Sequence, residues 1–333
     1  MSPDGLTVAV TGPTGTFGSG LVPLLQDDDR VARVIGIARR PFDPGRRGWT
    51  KMTYRQGDVR DPAALEAAFE GADVVVHLAF LITGNAPRQT TRAINVDGTL
   101  NTFRAATAVG ARRFVYASSV AAYGFGRDLP DRIDEDWPVR PAARLFYARE
   151  KAELECLLET EAGRGGPDLY LLRPPIVVGP DTVGSKDVLP GRLAPLGRRL
   201  LGRPRRLPVP LPLLVPEYPM QFIHEEDVGR ALLLCVVGAG PPGAYNIAGD
   251  GVLTAGDVAQ EFGALPIRLP AGPAQAAARA ISRLPFLPPV AEWIEAASRP
   301  VLMDTTKARE QLGWQPRYSG LEALRDTLRP SSS

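Results

Sequence analysis

The chain has 333 residues, of which 44% are hydrophobic and 23% charged, and its formal net charge is +2. This length and composition are typical of a globular protein with a sizeable core, and a charge so close to neutral gives no global reason to expect a nucleic-acid or membrane partner. Because no signal sequence and no apolar run long enough to span a bilayer is visible, a cytoplasmic location is expected.

Short apolar runs and helical patterns alternate along the first half of the chain. Strands are predicted at 6–11, 33–38, 53–56, 73–78, 113–118 and 168–173. Helices are predicted at 17–27, 62–70, 89–109 and 145–162. This alternation predicts an α/β fold, a Rossmann-type doubly wound parallel sheet with helices on both faces.

The pattern becomes less regular after residue 175. A strand at 220–223, a helix at 226–237, a strand at 244–247 and a helical tail at 304–328 are predicted. We therefore expect a Rossmann domain at 1–175, joined by crossing segments near 220–250. Residues 176–330 are expected to form mainly a smaller, irregular C-terminal substrate-binding domain.

A glycine turn follows the first predicted strand. Residues 11–18 read Thr-Gly-Pro-Thr-Gly-Thr-Phe-Gly and lead into a helical pattern. Strand, glycine turn and helix in this order are typical of a dinucleotide site, where backbone N–H groups at the helix N-terminus hold the pyrophosphate. A plain loop with three glycines is the simpler alternative. The candidate cofactor contacts here are Gly12, Thr14, Gly15, Thr16, Phe17 and Gly18.

Tyr147 and Lys151 stand four residues apart in a predicted helix, so both side chains lie on one helix face. A neighbouring ammonium favours the phenolate, and we expect it to lower the pKa of Tyr147. The phenol can then exchange a proton with a ketone or alcohol oxygen. An ordinary amphipathic helix is the alternative interpretation.

The two cysteines, Cys156 and Cys235, are far apart without metal-ligand spacing, so no metal site is expected.

Ten short motifs occur in the order typical of one large family. They are the glycine turn, Gly57-Asp58-Val59, His77-Leu78-Ala79, Asn95-Val-Asp-Gly-Thr99, Ser118-Ser119-Val-Ala-Ala-Tyr-Gly124, Tyr147-x-x-x-Lys151, Arg173-Pro-Pro-Ile-Val-Val-Gly-Pro180, His224-Glu-Glu-Asp227, Tyr245-Asn-Ile247 and Lys307-Ala-Arg-Glu-Gln-Leu-Gly-Trp314. Over nearly its whole length the chain resembles the extended short-chain dehydrogenase/reductases, which include NAD(P)-dependent epimerases and dehydratases.

The resemblance implies roles for particular residues. Ser119 would orient the substrate oxygen, Tyr147 would act as acid and base, and Lys151 would tune the phenol and bind the nicotinamide ribose. The remaining cofactor contacts that it implies are Asp58, Val59, Leu78, Ala79, Asn95 and Pro174.

The end of the second predicted strand bears on the choice of cofactor. Members that prefer NAD place an acidic residue there to bind the ribose 2′-hydroxyl. In this chain Ala38 stands at that place and Arg39 follows. Because a guanidinium pairs with a 2′-phosphate and an acid repels it, NADP(H) is expected to be preferred, with NAD(H) possible. Solvated surface arginines are the alternative.

Departures from the family pattern indicate the substrate. Ile176 and Met220 replace an Asn and an Arg that are typical of nucleotide-sugar enzymes, and the phosphate-binding Arg-x-Gly-Asp segment is missing near Arg299. Val120 and Ala121 stand where 4,6-dehydratases carry an Asp-Glu pair. Each lost charged hydrogen bond would cost roughly 1.5–3 kcal/mol, so a nucleotide diphosphate is expected to bind poorly.

We therefore expect an NADP(H)-dependent oxidoreductase that transfers hydride between the nicotinamide and a moderately apolar ketone or alcohol. The candidate substrate contacts are Phe80, Ile82, Ser119, Ile176 and Met220. An NAD(P)-dependent nucleotide-sugar epimerase or dehydratase is one alternative, and a non-catalytic NADP(H)-binding redox sensor is another.

Expectations about partners complete the interpretation. The partner is expected to be a small-molecule substrate, with neither nucleic acid nor membrane involved. The predicted helices 89–109 and 145–162 carry apolar residues on more than one face, including Leu100, Phe103, Leu154, Leu157 and Leu158. Relatives pair these helices into a four-helix bundle between subunits, so a homodimer is expected. Packing of all these faces on the chain's own sheet is the alternative. The Arg-rich stretch at 192–206 is either a solvated face or a site for an anionic substrate handle.

Overall fold

A seven-stranded parallel sheet organises the protein. The computed structural model describes residues 5–82, 87–126, 128–142, 144–180, 182, 212–270, 272–273, 276 and 299–328. The strands of the sheet are β1 (Leu6–Thr11), β2 (Val31–Ala38), β3 (Met52–Gln56), β4 (Val74–His77), β5 (Arg113–Ala117), β6 (Asp168–Arg173) and β11 (Gly243–Asn246). Their order is β11-β6-β5-β4-β1-β2-β3, and every neighbouring pair is parallel. The predicted Rossmann-type fold is confirmed.

The helices pack on both faces of this sheet and against the short strands beside it. They are α1 (Thr16–Asp27), α2 (Pro62–Phe69), α3 (Arg88–Arg92), α4 (Gly98–Ala108), α5 (Phe146–Ala162), α6 (Glu225–Val237), α7 (Ala255–Glu261), α8 (Thr306–Gln311) and α9 (Gly320–Thr327). Buried side chains of α1, α6 and α8 form the core on one face, and those of α2, α4 and α5 form the core on the other. Burial of apolar surface on both faces stabilises the layered arrangement.

Short strands form a smaller part beside the sheet. They are β7 (Ile176–Val178), β8 (Pro212–Pro216), β9 (Pro219–Met220), β10 (Phe222–His224), β12 (Leu253–Thr254) and β13 (Leu265–Leu269). They pair as β7 with β10, β9 with β12 and β8 with β13. Apart from the predicted strand at 220–223, the sequence did not reveal them, because runs of two to five residues with prolines carry no readable alternation.

The predicted helix 89–109 is interrupted. A π-helical turn at Ala93–Asp97 separates α3 from α4. Single π-helical turns insert an extra residue into a helix and often occur at functional sites. Here the turn carries Asn95, one of the predicted cofactor contacts.

Candidate active site

The glycine turn lies between the ends of β1 and β4. Gly12 has φ of +70°, which favours glycine, and a Cβ there would lie 3.1 Å from the backbone nitrogen of Ala79. Gly15 is the N-cap of α1 and has no side chain with which to cap the helix. A helix N-terminus without a side-chain cap can receive a phosphate group. The turn therefore fits the pyrophosphate of a dinucleotide.

The ends of β2 and β3 hold the next group of predicted cofactor contacts. Arg39 is exposed just after β2. Arg60 donates to both oxygens of Asp58 at 3.0 and 2.7 Å, and this pair lowers the pKa of the Asp58 carboxyl, with a smaller contribution from Arg39. Val59 is buried against Gly98. Asp58 thus has a cationic partner within the protein.

A cleft of about 640 Å³ lies between the glycine turn, with the start of α1, and the segment that follows β2. Its wall combines polar, cationic and aromatic side chains. Among them are Thr14, Ser19, Gln26, Arg40, Phe42, Arg47 and Trp49. The sequence did not identify Arg40 or Arg47 as binding residues, because residues 41–49 carry no motif. An anionic group held near Thr14 would meet guanidinium groups here.

The segment after β4 is fixed by Asn95. Its side-chain oxygen accepts from the backbone N–H of Leu81 at 2.8 Å, and its amide nitrogen donates to the Leu81 carbonyl at 3.0 Å and to Glu150 at 2.7 Å. Asn95 is completely buried. Its side chain therefore contacts protein groups and positions the backbone at Leu81, and any effect on a cofactor would pass through that backbone.

Ser119, Tyr147 and Lys151 are brought together by β5 and α5. Ser119 caps a 3₁₀ turn (Val120–Tyr123), and its hydroxyl accepts from the N–H of Ala121 at 3.2 Å. The side chains of Tyr147 and Ser119 share a hydrogen bond. One helical turn further on, the Lys151 ammonium donates to the Ala117 carbonyl at 2.6 Å and to the Tyr116 hydroxyl at 3.0 Å. A hydroxyl, a phenol and an ammonium thus meet at the end of β5.

Burial controls the protonation of these groups. It lowers the pKa of Lys151 to about 7, although Glu155 and then Glu150 favour the ammonium. It also raises the pKa of the Tyr147 phenol, and the Ser119 hydrogen bond opposes that rise. The prediction that Lys151 lowers the pKa of Tyr147 was wrong for this structure, because the desolvation of the phenol outweighs the other contributions.

A buried polar network joins the strands next to the site to the helix that carries Tyr147. Arg173 pairs with Glu155 at 2.6 Å and donates to the hydroxyl of Tyr123 at 2.7 Å. The hydroxyl of Ser118 donates to the same Glu155. The network ties the ends of β5 and β6 to α5, which carries Tyr147. Sequence reasoning missed Glu155, although its position four residues after Lys151 places both on one helix face.

The predicted substrate contacts are not all in one place. Phe80 packs edge to face on Tyr147, with 5.6 Å between ring centroids. Ile82 and Ile176 are 45% and 47% exposed. Met220 pairs with Leu253 and packs in a separate apolar cluster with Val178 and Phe222.

Four further expectations concern Pro174, the Arg-rich stretch, metal binding and membrane spans. The carbonyl of Pro174 accepts from the N–H of Val120 at 3.0 Å and so joins β6 to the Ser119 turn. The stretch 192–206 lies outside the described residues. Within the described ranges, no cluster of three or more His, Cys, Asp or Glu side chains is placed to hold a metal ion. None of the described helices is long and apolar enough to cross a membrane.

Residues 8–248 match the family model described as the NAD dependent epimerase/dehydratase family. The chain belongs to this family. The match includes the glycine turn, the Ser119 turn and the Tyr147 helix. Membership confirms the resemblance drawn from the sequence, and it favours the epimerase or dehydratase alternative over the reductase that we expected first. Family membership also indicates a nicotinamide dinucleotide of the NAD(H) type as the cofactor. It does not support the expected preference for NADP(H).

Individual relatives extend the comparison. A Mycobacterium tuberculosis protein without an assigned function is 28% identical, over 97% of this chain and 83% of its own. An Arabidopsis thaliana 3β-hydroxysteroid dehydrogenase/decarboxylase is 31% identical over 140 residues, which are 42% of this chain and 31% of that protein. The structure of a Thermotoga maritima UDP-glucose 4-epimerase with UDP-glucose superimposes with a TM-score of 0.73 and 21% identity, covering 97% of each chain. That similarity shows the shared fold.

Proposed function

We propose that this member of the family transfers hydride at a secondary alcohol or ketone carbon, with Ser119, Tyr147 and Lys151 as its catalytic residues. The observation that carries the proposal is the hydrogen bond between Ser119 and Tyr147, with Lys151 one helical turn away. A series of contacts joins this group to the glycine turn, since Gly12 lies against Ala79 and the next residue, Phe80, packs on Tyr147.

Each side chain has a distinct role in this proposal. A nicotinamide dinucleotide, when bound, supplies or accepts the hydride. The Tyr147 phenol gives a proton to the ketone oxygen or takes one from the alcohol. The Ser119 hydroxyl orients that oxygen, and the Lys151 ammonium stabilises the phenolate as it forms. Partial burial of the site strengthens these electrostatic interactions.

The first candidate substrate is a nucleotide sugar, which would be oxidised and reduced again at one carbon to give its epimer. Family membership favours this class, and a relative of the same fold was solved with UDP-glucose. Epimerisation is favoured over dehydration, since Val120 and Ala121 cannot act as the acid and base of an elimination.

The second candidate is a moderately apolar ketone or alcohol. Ile82 and Ile176 support it, because both expose apolar surface two residues beyond Phe80 and Pro174. The local similarity to a hydroxysteroid dehydrogenase points in the same direction. For the cofactor we propose that NADP(H) is preferred, on the basis of exposed Arg39 and of Arg40 and Arg47 in the neighbouring cleft.

One set of assays tests these proposals. The protein is incubated with UDP-glucose and NAD⁺ or NADP⁺, and separately with a panel of apolar ketones and NADH or NADPH, and C4 epimer and reduced product are measured. Tyr147→Phe should lower the productive rate by ~10² to 10⁴. The matched control is Tyr170→Phe, which removes a tyrosine hydroxyl bonded to the Gly240 carbonyl outside the site.

Each outcome separates the alternatives. Epimer formation supports the first candidate, and net ketone reduction supports the second. A preference of roughly tenfold or more for NADP⁺ over NAD⁺, or for NADPH over NADH, supports the arginine argument, whereas equal use of both cofactors contradicts it. Near-parental turnover by Tyr147→Phe overturns the catalytic assignment. Cofactor binding without turnover of either class would favour the redox sensor.

A further inference from the structure

The ammonium group of Lys151 lies among aromatic rings. Its nitrogen is 3.8 Å from the ring centroid of Phe80, 4.5 Å from that of Tyr116 and 5.8 Å from that of Tyr147. Lys151 is only 3% exposed. At 3.8 Å over a ring, a cation is attracted to the negative face of the π-system, and the attraction is strongest where water is excluded.

Phe80 contacts both members of the proposed acid/base pair. Besides lying under the ammonium, it meets the Tyr147 ring edge to face, with an interplanar angle of 90°. Phe80 follows Ala79, which lies against the glycine turn, and it precedes Leu81, whose backbone is held by Asn95. Its backbone is therefore anchored on both sides.

The other groups around Lys151 show why a ring at this position matters. Within α5, Glu155 and Glu150 favour the ammonium, and Tyr147 is a neutral phenol. From β4, His77 lies nearby with its pKa lowered to about 3, so it is neutral at pH 7. From β5, Tyr116 is also neutral, because burial raises the pKa of its phenol well above the usual range. The charge that favours the ammonium comes from α5, while β5 and the Phe80 segment contribute π faces and hydrogen-bond acceptors.

We propose that Phe80 is a positioning residue of this site, whose ring face keeps the Lys151 side chain charged and in place while the same ring fixes the orientation of the Tyr147 phenol. The inference rests on the proposed function for its meaning in catalysis. Its physical content, an aromatic group that stabilises a buried ammonium, is testable without a substrate.

The protein offers a direct measurement, because its sequence contains four lysines, Lys51, Lys151, Lys186 and Lys307. Lysine labelled with ¹³C and ¹⁵N gives one side-chain signal for each, and Lys151→Arg identifies the signal of interest. In Phe80→Leu, which keeps an apolar side chain but removes the ring, the pKa of Lys151 should fall by about one unit or more. In the matched control Phe80→Tyr, which keeps the ring face, it should stay within a few tenths of a unit of the parent.

The result that overturns the inference is a parental pKa in Phe80→Leu, or an equal fall in Phe80→Leu and Phe80→Tyr. Phe80→Met provides a second variant without a ring if the leucine variant does not fold, and it should show the same fall. The proposed function is tested separately by turnover of Tyr147→Phe. If Tyr147→Phe stays active while the pKa of Lys151 depends on the ring of Phe80, the catalytic assignment is rejected. The stabilising contact between Phe80 and Lys151 then still stands.

Discussion

Two basic side chains lie buried close to one another, His77 at the end of β4 and Lys151 within the candidate site. Burial lowers the pKa of each, and the charge of Lys151 lowers that of His77 further. The imidazole lies between the hydroxyls of Thr11 and Thr99, at 2.8 and 2.9 Å, and stacks with Phe114 and Tyr116. His77 therefore acts as a neutral, hydrogen-bonded part of the core.

This arrangement predicts an acid-sensitive contribution to stability from His77. Its pKa is about 3 in the folded protein, against an ordinary value of 6.5 for histidine. Between these values the unfolded chain binds the proton and the folded protein does not. The stabilisation is thus complete above pH 6.5 and is lost as the pH falls toward 3, by at most about 1.4 kcal/mol per pH unit. Urea unfolding of the parent and of His77→Gln between pH 7 and 4 should show a smaller pH dependence in the variant.

Magnetic resonance of the imidazoles provides an independent check, because the chain has only two histidines. The signal absent from His77→Gln should keep the shifts of a neutral ring down to pH 5. Protonation of that ring near pH 6.5 would contradict the burial argument.

At the scale of elements, the sequence predicted what local patterns encode. The strand, glycine turn and helix at 6–27 are a continuous local signal, and the spacing of Tyr147 and Lys151 fixes a shared helix face. The contact of Phe80 with Lys151 and the bonds of Asn95 to Leu81 and Glu150 were not predictable in this way. They join side chains from different elements, and their geometry depends on how those elements pack.

The close packing of α1 on α6 predicts that a side chain at their contact destabilises the protein. A Cβ on Gly229 would lie 2.1 Å from the carbonyl oxygen of Gly20, so the two helices touch through their backbones. Gly229→Ala should therefore force the helices apart and destabilise the protein by about 1–3 kcal/mol. Gly163→Ala is the matched control. Gly163 has helical backbone angles at the end of α5 and ordinary space around it, so alanine there should stabilise by about 0.4–1 kcal/mol. Thermal unfolding of both variants measures the difference, and equal effects would contradict this account.

At the scale of the whole molecule, the division into two domains and the homodimer remain predictions. Of the apolar residues on α4 and α5 that suggested an interface, Phe103, Leu154 and Leu158 are buried in the chain's own core. Leu100 and Leu157 pack against that core but stay partly exposed. The argument for pairing through these helices now depends on these two leucines.

We expect sedimentation at micromolar concentration to give twice the 35.8 kDa of one chain. Leu157→Arg should shift the mass toward a single chain, because it places a charge within the proposed interface. Leu213→Arg, at a leucine that is 49% exposed on β8, should leave the mass unchanged. A parent protein that sediments as a single chain would exclude this dimer.

The backbone contact between Gly20 and Gly229 also means that α1 is synthesised long before the helix on which it packs. The apolar side of α1, with Leu21, Val22 and Leu25, shares one core cluster with Val228 and Leu232 of α6. These partners are synthesised about 200 residues later, and contacts so distant in sequence form slowly. The side of α1 that packs on α6 therefore stays uncovered through most of translation, although neighbouring strands such as β1 and β2 belong to the same cluster and are made early. We expect newly made chains to depend on chaperones that shield exposed apolar segments until α6 has emerged.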